Sequence, residues 1–135
     1  MVPGLEFHHF GLAVAHPEKA RRFLEDLGYA LGEALHDPHQ RVHVALCTHP
    51  RMPSVELIWK DGGPGPLDAV LSGRTETIYH LCYTVRDREA ALDTLEQAGH
   101  RLLPVAPAAP AVLFGGRRVS FHQVAGFGLV ELLDP

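Results

Sequence analysis

From Phe7 to Ala15 the chain reads FHHFGLAVA, with Phe10, Leu12 and Val14 on one parity and His9, Gly11 and Ala13 on the other. This period of two predicts a strand whose first set faces a core and whose second set leaves room beside His9; His8 falls on the face away from His9. Pro17 then suits the first turn of a helix, where its missing N–H is no loss. Ala20, Phe23, Leu24 and Leu27 follow at helical spacing, and Gly28 is placed to end the helix in a left-handed conformation. The pattern returns after an interval of 71 residues. IYHLCYTV predicts a strand, Asp87 an N-cap, Leu92, Leu95 and Ala98 the apolar stripe of a second helix, and Gly99 its end.

At that interval His9 overlies His80, Val14 overlies Val85, Leu24 overlies Leu95 and Gly28 overlies Gly99. The halves also close alike, with SVELIW from Ser54 and LVELLD from Leu129, and each carries a further strand before that end, Arg41–Cys47 and Arg117–Gln123. The expected fold is therefore α+β by duplication: one domain over residues 1–135, built of two tandem β-α-β-β-β modules (about 5–60 and about 76–134) that form a concave, cup-like mixed sheet. Asp61–Pro66 and a short helical turn at Leu67–Leu71 read as the connector, and Pro104–Pro110 as a loop inside the second module.

Composition narrows the function. Hydrophobic residues at 46% and charged residues at 21% are a globular balance, and a net charge of −4 offers no basic footprint for nucleic acid. No apolar run approaches the roughly 18–20 residues of a membrane span, and the opening MVPGLEFHHF lacks the features of a secretory signal, so a cytoplasmic location is expected. Two cysteines, Cys47 and Cys82, are too few for a disulfide framework. Ten histidines are the unusual number, because imidazole is the commonest metal ligand.

Glu56 and Glu131 each stand between aliphatic residues in the middle of a strand, where a carboxylate is costly unless it is paired or bound to a cation. That this happens at equivalent positions of a duplication is the strongest local signal. Two related modules facing each other across a pseudo-twofold axis would bring His9, Glu56, His80 and Glu131 to one concave face. Such a set suits a divalent metal ion of borderline hardness, namely Co, Zn, Ni, Mn or Fe. His43 and His122 lie in strands and are candidates to line the cavity, while His16, His36, His39, His49 and His100 fall in loops and turns.

The layout and these motifs resemble the vicinal oxygen chelate superfamily, which includes glyoxalases, extradiol dioxygenases and antibiotic-resistance proteins, and most nearly its methylmalonyl-CoA epimerase branch. His8-His9-Phe10-Gly11-Leu12-Ala13-Val14, Gln40-Arg41-Val42-His43-Val44-Ala45, Tyr79-His80-Leu81-Cys82-Tyr83 and Phe127-Gly128-Leu129-Val130-Glu131-Leu132 carry the likeness. The resemblance implies His9, Glu56, His80 and Glu131 as metal ligands and a metal-stabilised enolate next to a carbonyl. A small-molecule substrate such as an acyl-CoA thioester and a homodimer are implied as well. The glutamate that serves as acid/base in some epimerases falls on Val44, so the proton carrier is expected among Glu131, His43 and His122. Lactoylglutathione-lyase-like isomerisation and small-molecule binding of the resistance-protein type are the alternatives within the same fold.

Overall fold

The computed structural model describes residues 1–135. The first half contains β1 (Glu6–Val14), α1 (Pro17–Asp26), β2 (Ala30–Leu31), β3 (Leu35–Asp37), β4 (Val42–Thr48) and β5 (Ser54–Lys60). A short α2 (Leu67–Val70) lies in the connector. The second half contains β6 (Glu76–Thr84), α3 (Arg88–Gln97), β7 (Leu102–Pro110), a 3-10 turn (Val112–Phe114), β8 (Arg118–Val124) and β9 (Gly128–Leu133). All nine strands form one open, curved sheet in the order β2-β4-β5-β1-β6-β9-β8-β7, with β3 also on β4. The halves meet where β1 runs antiparallel to β6; β5 lies parallel to β1 and β9 parallel to β6, so equivalent strands flank the seam symmetrically. This is the α+β duplication expected from the repeat.

The helix boundaries follow the sequence signals. Pro17 opens α1, and Gly28 ends it at φ +96°. The Ala90 N–H donates to the Asp87 carboxylate at the start of α3, and Gly99 ends that helix at φ +94°. The apolar stripe of α1 is narrower than its spacing predicts: Leu24 is buried, whereas Phe23 is 64% exposed. On α3 the fully buried contact is Ala91, one position before Leu92.

Apolar side chains divide between the two faces of the sheet. Under α1, Val14, Leu24, Tyr29, Cys47, Val55 and Leu57 cluster with Phe10 and Leu12; under α3 the cluster is smaller, with Val85, Ala91 and Leu132. On the concave face, Ala13, Val42, Val44, Ile58 and Leu67 pack on one side, and Cys82, Ala111, Phe114, Val119 and Leu133 on the other. Burying an aliphatic side chain such as Leu57 or Ile58 contributes about 1.5–3 kcal/mol.

Two local readings are corrected. Pro104–Pro110 belongs to edge strand β7, not to a loop; its pairing with β8 has two irregularities, and at a sheet edge proline is tolerated without costing a ladder bond. The β1–β6 ladder carries two further register shifts, one between Phe7 and His9 and one between Gly11 and Leu12. The extra residue is His8 in β1 and Tyr79 in β6, equivalent positions of the repeat. A bulge re-aims its extra side chain, so strict alternation fails at both places.

Candidate metal centre

The four central strands each supply one side chain: Glu56 from β5, His9 from β1, His80 from β6 and Glu131 from β9. Their ligand atoms all lie within 4.8 Å of one another, and every one of the four residues is buried. His9 Nε2 stands 3.1 Å from Oε1 of Glu56 and 3.1 Å from Oε1 of Glu131. His80 Nε2 stands 3.3 Å and 3.2 Å from the same two oxygens, and 3.4 Å from His9 Nε2.

This donor set fits a divalent cation. Glu131 Oε1 is buried and lies close to both imidazoles, yet it receives no aligned hydrogen bond, so the contacts leave a carboxylate lone pair unused. Separations of 3.1–3.4 Å are those of donors sharing an ion at about 2.0–2.2 Å. Two imidazoles and two carboxylates match the borderline metals named above.

The electrostatics of the cluster show how far the charges depend on one another. Burial pushes the His80 imidazole down, but the Glu131 and Glu56 carboxylates outweigh it and raise the ring to about 9. The Glu131 carboxyl, pushed up by burial, is held at about 2 by His80 and His9. His9 is raised and Glu56 lowered by the same balance. Cys82, buried beside Glu131, has its thiol pushed up by burial first and then by that negative neighbour, and remains a neutral thiol.

Gly11 makes the site possible. It pairs with His80 across the seam, and a Cβ at this position would lie 2.2 Å from His80 Cε1 and 2.4 Å from Nδ1. Aromatic rings hold the two imidazoles in place. Phe114 from the 3-10 turn stacks on His9 with ring centres 5.3 Å apart, and Tyr79 and Phe121 meet His80 edge-on at 4.7 Å and 5.4 Å. His8 Nδ1 lies 2.8 Å from His9 Nδ1, so His8 does not face away as strict alternation predicts. The repeat places His8 and Tyr79 immediately before the two clustered histidines, but nothing in the hydrophobic pattern marks the bulges that turn them toward the site.

His43 and His122 do not join the cluster. His43 packs beside His36 and Trp59, while its neighbours Val42 and Val44 face the cup. His122 hydrogen-bonds Ser120 at 2.9 Å and lines a cavity with Tyr83, Ala91 and Leu132 beneath α3. On β8 it is Phe121, opposite Glu131, that points to the site. Both histidines are thus on the helix-covered face, with the sheet between them and Glu131.

A cavity of about 460 Å³ adjoins the cluster through Tyr79 and Phe121, with Gln40, Arg41, His39 and Gln123 also in its wall. The apolar hollow under α3, about 400 Å³, belongs to the other face, and none of the four clustered residues lines it.

The duplicated α+β sheet carries two histidines and two carboxylates on its four central strands, a candidate chelating centre. Residues 8–121 match the Glyoxalase/Bleomycin resistance protein/Dioxygenase superfamily, and the chain belongs to it. Over 129 residues it is 32% identical to an ethylmalonyl-CoA/methylmalonyl-CoA epimerase of Cereibacter sphaeroides, a match covering 93% of this chain and 94% of that one. The structure is similar to the crystal structure of methylmalonyl-CoA epimerase from Mycobacterium tuberculosis, with a TM-score of 0.78 and 27% identity over 99% of this chain and 89% of that one. A hypothetical protein of Bacillus halodurans shares the fold, with a TM-score of 0.80 and 20% identity over 97% of this chain and 94% of that one. No helix is long and apolar enough to cross a membrane.

Proposed function

We propose that this protein is a divalent-metal-dependent epimerase of an acyl-CoA thioester of the methylmalonyl-CoA kind. The observation that carries the reading is the convergence of His9, Glu56, His80 and Glu131 in a chain 32% identical to one epimerase and sharing the fold of another. These four residues hold the cation, which when bound supplies Lewis-acid stabilisation to an enolate formed next to the thioester carbonyl.

Epimerisation takes a proton from one face of the α-carbon and returns one to the other. Val44 faces the cup but carries no proton, and His43 and His122 lie behind the sheet. The proton carriers that remain are Glu131 and Glu56, ionised carboxylates contributed from opposite halves of the chain. Tyr79 lines the adjoining cavity as a neutral phenol, its pKa raised by burial and by the charges of Glu56, Glu131 and Asp37. Arg41 and His39 in the same wall suit the anionic part of a coenzyme A thioester. The exposed Leu103 and Val105 on edge strand β7 support a homodimer, which light scattering tests.

Incubating the metal-loaded protein with methylmalonyl-CoA in heavy water is the direct test. Deuterium at the α-carbon, lost in Glu131→Gln, is the expected result. Unlabelled substrate, with turnover of the methylglyoxal–glutathione adduct instead, would replace this reading by the lyase; neither reaction would leave the binding-protein alternative.

A further inference from the structure

We propose that His8 is a positioning residue of this site: its ring accepts the Nδ1–H of His9 and leaves His9 Nε2 as the free donor for a cation. The inference rests on the metal reading for its purpose, but its geometry stands on its own. The two Nδ1 atoms are 2.8 Å apart, a distance at which one ring must carry the proton and the other a lone pair. His9 Nε2 points at His80, Glu56 and Glu131, so a cation there requires the His9 proton on Nδ1. Only an acceptor at His8 Nδ1 satisfies that proton, because the His9 ring is fully buried and its flat face is covered by Phe114. A ligating histidine usually fixes its tautomer through its second nitrogen, and here the partner is a second imidazole.

The bulge is what makes this arrangement possible. In a regular strand His8 would point to the opposite face; the extra residue in β1 turns its ring edge-on to both His9, at 5.1 Å, and Phe114, at 5.2 Å. The other half of the repeat has the same bulge but not the same bond. Tyr79 occupies the equivalent position, and His80 Nδ1 is buried with no hydrogen-bond partner. The two ligand histidines are therefore held differently: His9 by a hydrogen bond from behind, and His80 by close packing against Gly11, Tyr79 and Phe121. Loss of the residue before the histidine should alter tautomer and cation affinity in the first half, with no parallel effect on a hydrogen bond in the second.

The test uses the full chain labelled with nitrogen-15, first without metal and then with zinc, in the wild type, His8→Phe and His8→Asn. Long-range proton–nitrogen spectra are expected to show a slowly exchanging ring proton between the two Nδ1 atoms in the wild type. His8→Phe keeps a ring in the bulge but removes the acceptor, so that proton is lost and the zinc dissociation constant rises by about 10–100-fold in chelator competition. His8→Asn restores an acceptor and brings the constant back toward the wild-type value. If the phenylalanine variant does not fold, His8→Ala against His8→Asn gives the same comparison. A wild type without a protected ring proton, or a His8→Phe protein with unchanged His9 nitrogen shifts and zinc affinity, overturns the proposal. A wild type that shows the ring proton but binds no cation refutes the metal reading while upholding the hold of His8 on His9.

Discussion

Replacing Gly11 by alanine tests whether the seam between the halves is shaped around the His80 ring. The new methyl would lie 2.2, 2.4 and 2.6 Å from Cε1, Nδ1 and Nε2 of His80, against an ordinary carbon contact of about 3.5–4.0 Å. Relief therefore requires a displacement of about 1 Å or more. The ring has little room to swing, because Tyr79 and Phe121 flank it and its tip touches Glu56 and Glu131. Overpacking of this kind costs about 1–3 kcal/mol, which for a chain of this length lowers Tm by about 4–12 °C. A displacement of about 1 Å at a reacting centre also costs on the order of 100-fold in rate. Gly63→Ala is the control, since its methyl would meet only Asp61 Oδ1 at an ordinary 3.7 Å. Thermal denaturation and cation titration of both variants decide the matter. A Gly11→Ala protein matching the control in Tm and cation affinity would refute the argument that His80 is seated against a bare backbone.

Four further outcomes are expected. Metal analysis after mild dialysis should find one divalent ion per wild-type chain and a lower content in His80→Ala; equal content would remove His80 from the site. Mixing His9→Ala with Glu131→Ala chains should restore no activity, since all four clustered residues come from one chain; recovery on subunit exchange would show a shared site. The metal-free protein should change stability with pH in two directions. His80, raised from 6.5 to about 9, contributes stability present below about pH 6.5 and lost as the pH climbs through 9. Glu131, lowered from 4.5 to about 2, contributes stability present above about pH 4.5 and lost as the pH falls through 2. Tm should thus be highest between about pH 4.5 and 6.5, and a flat profile to pH 9 would contradict the His80 shift. Cation should raise Tm more at pH 8 than at pH 6, because the imidazoles ligate in the neutral form; the reverse order by differential scanning fluorimetry would contradict imidazole ligation.

The duplication and the convergence of the four side chains were legible in the sequence because they depend on parity within strands and on a repeat interval. Glu56 and Glu131 follow strict alternation, with Val55 and Leu57, or Val130 and Leu132, packed on the other face. Alternation also puts His43 and His122 behind the sheet, but only once strand pairing fixes which parity faces the cup, and a single strand does not carry that information. His8 and Tyr79 were hidden for the opposite reason: a bulge shifts one residue out of phase and leaves no mark in hydrophobic pattern. The strand at Leu102–Pro110 was masked by its three prolines, whose breaking effect is strong in a central strand and weak on an edge.

That each half contributes one histidine and one glutamate has a consequence for the order in which the chain acquires its structure. Neither half can assemble the four-residue cluster alone, so on the proposed metal reading an ion would recognise a late stage of folding, after β1 and β6 have found each other across an interval of 71 residues. Such distant pairing is slow compared with the local α1 and α3 turns. A cation in the refolding buffer would then act mainly on the unfolding arm of the kinetics, as a clasp fastened last and released first, with little effect on how fast the two halves meet.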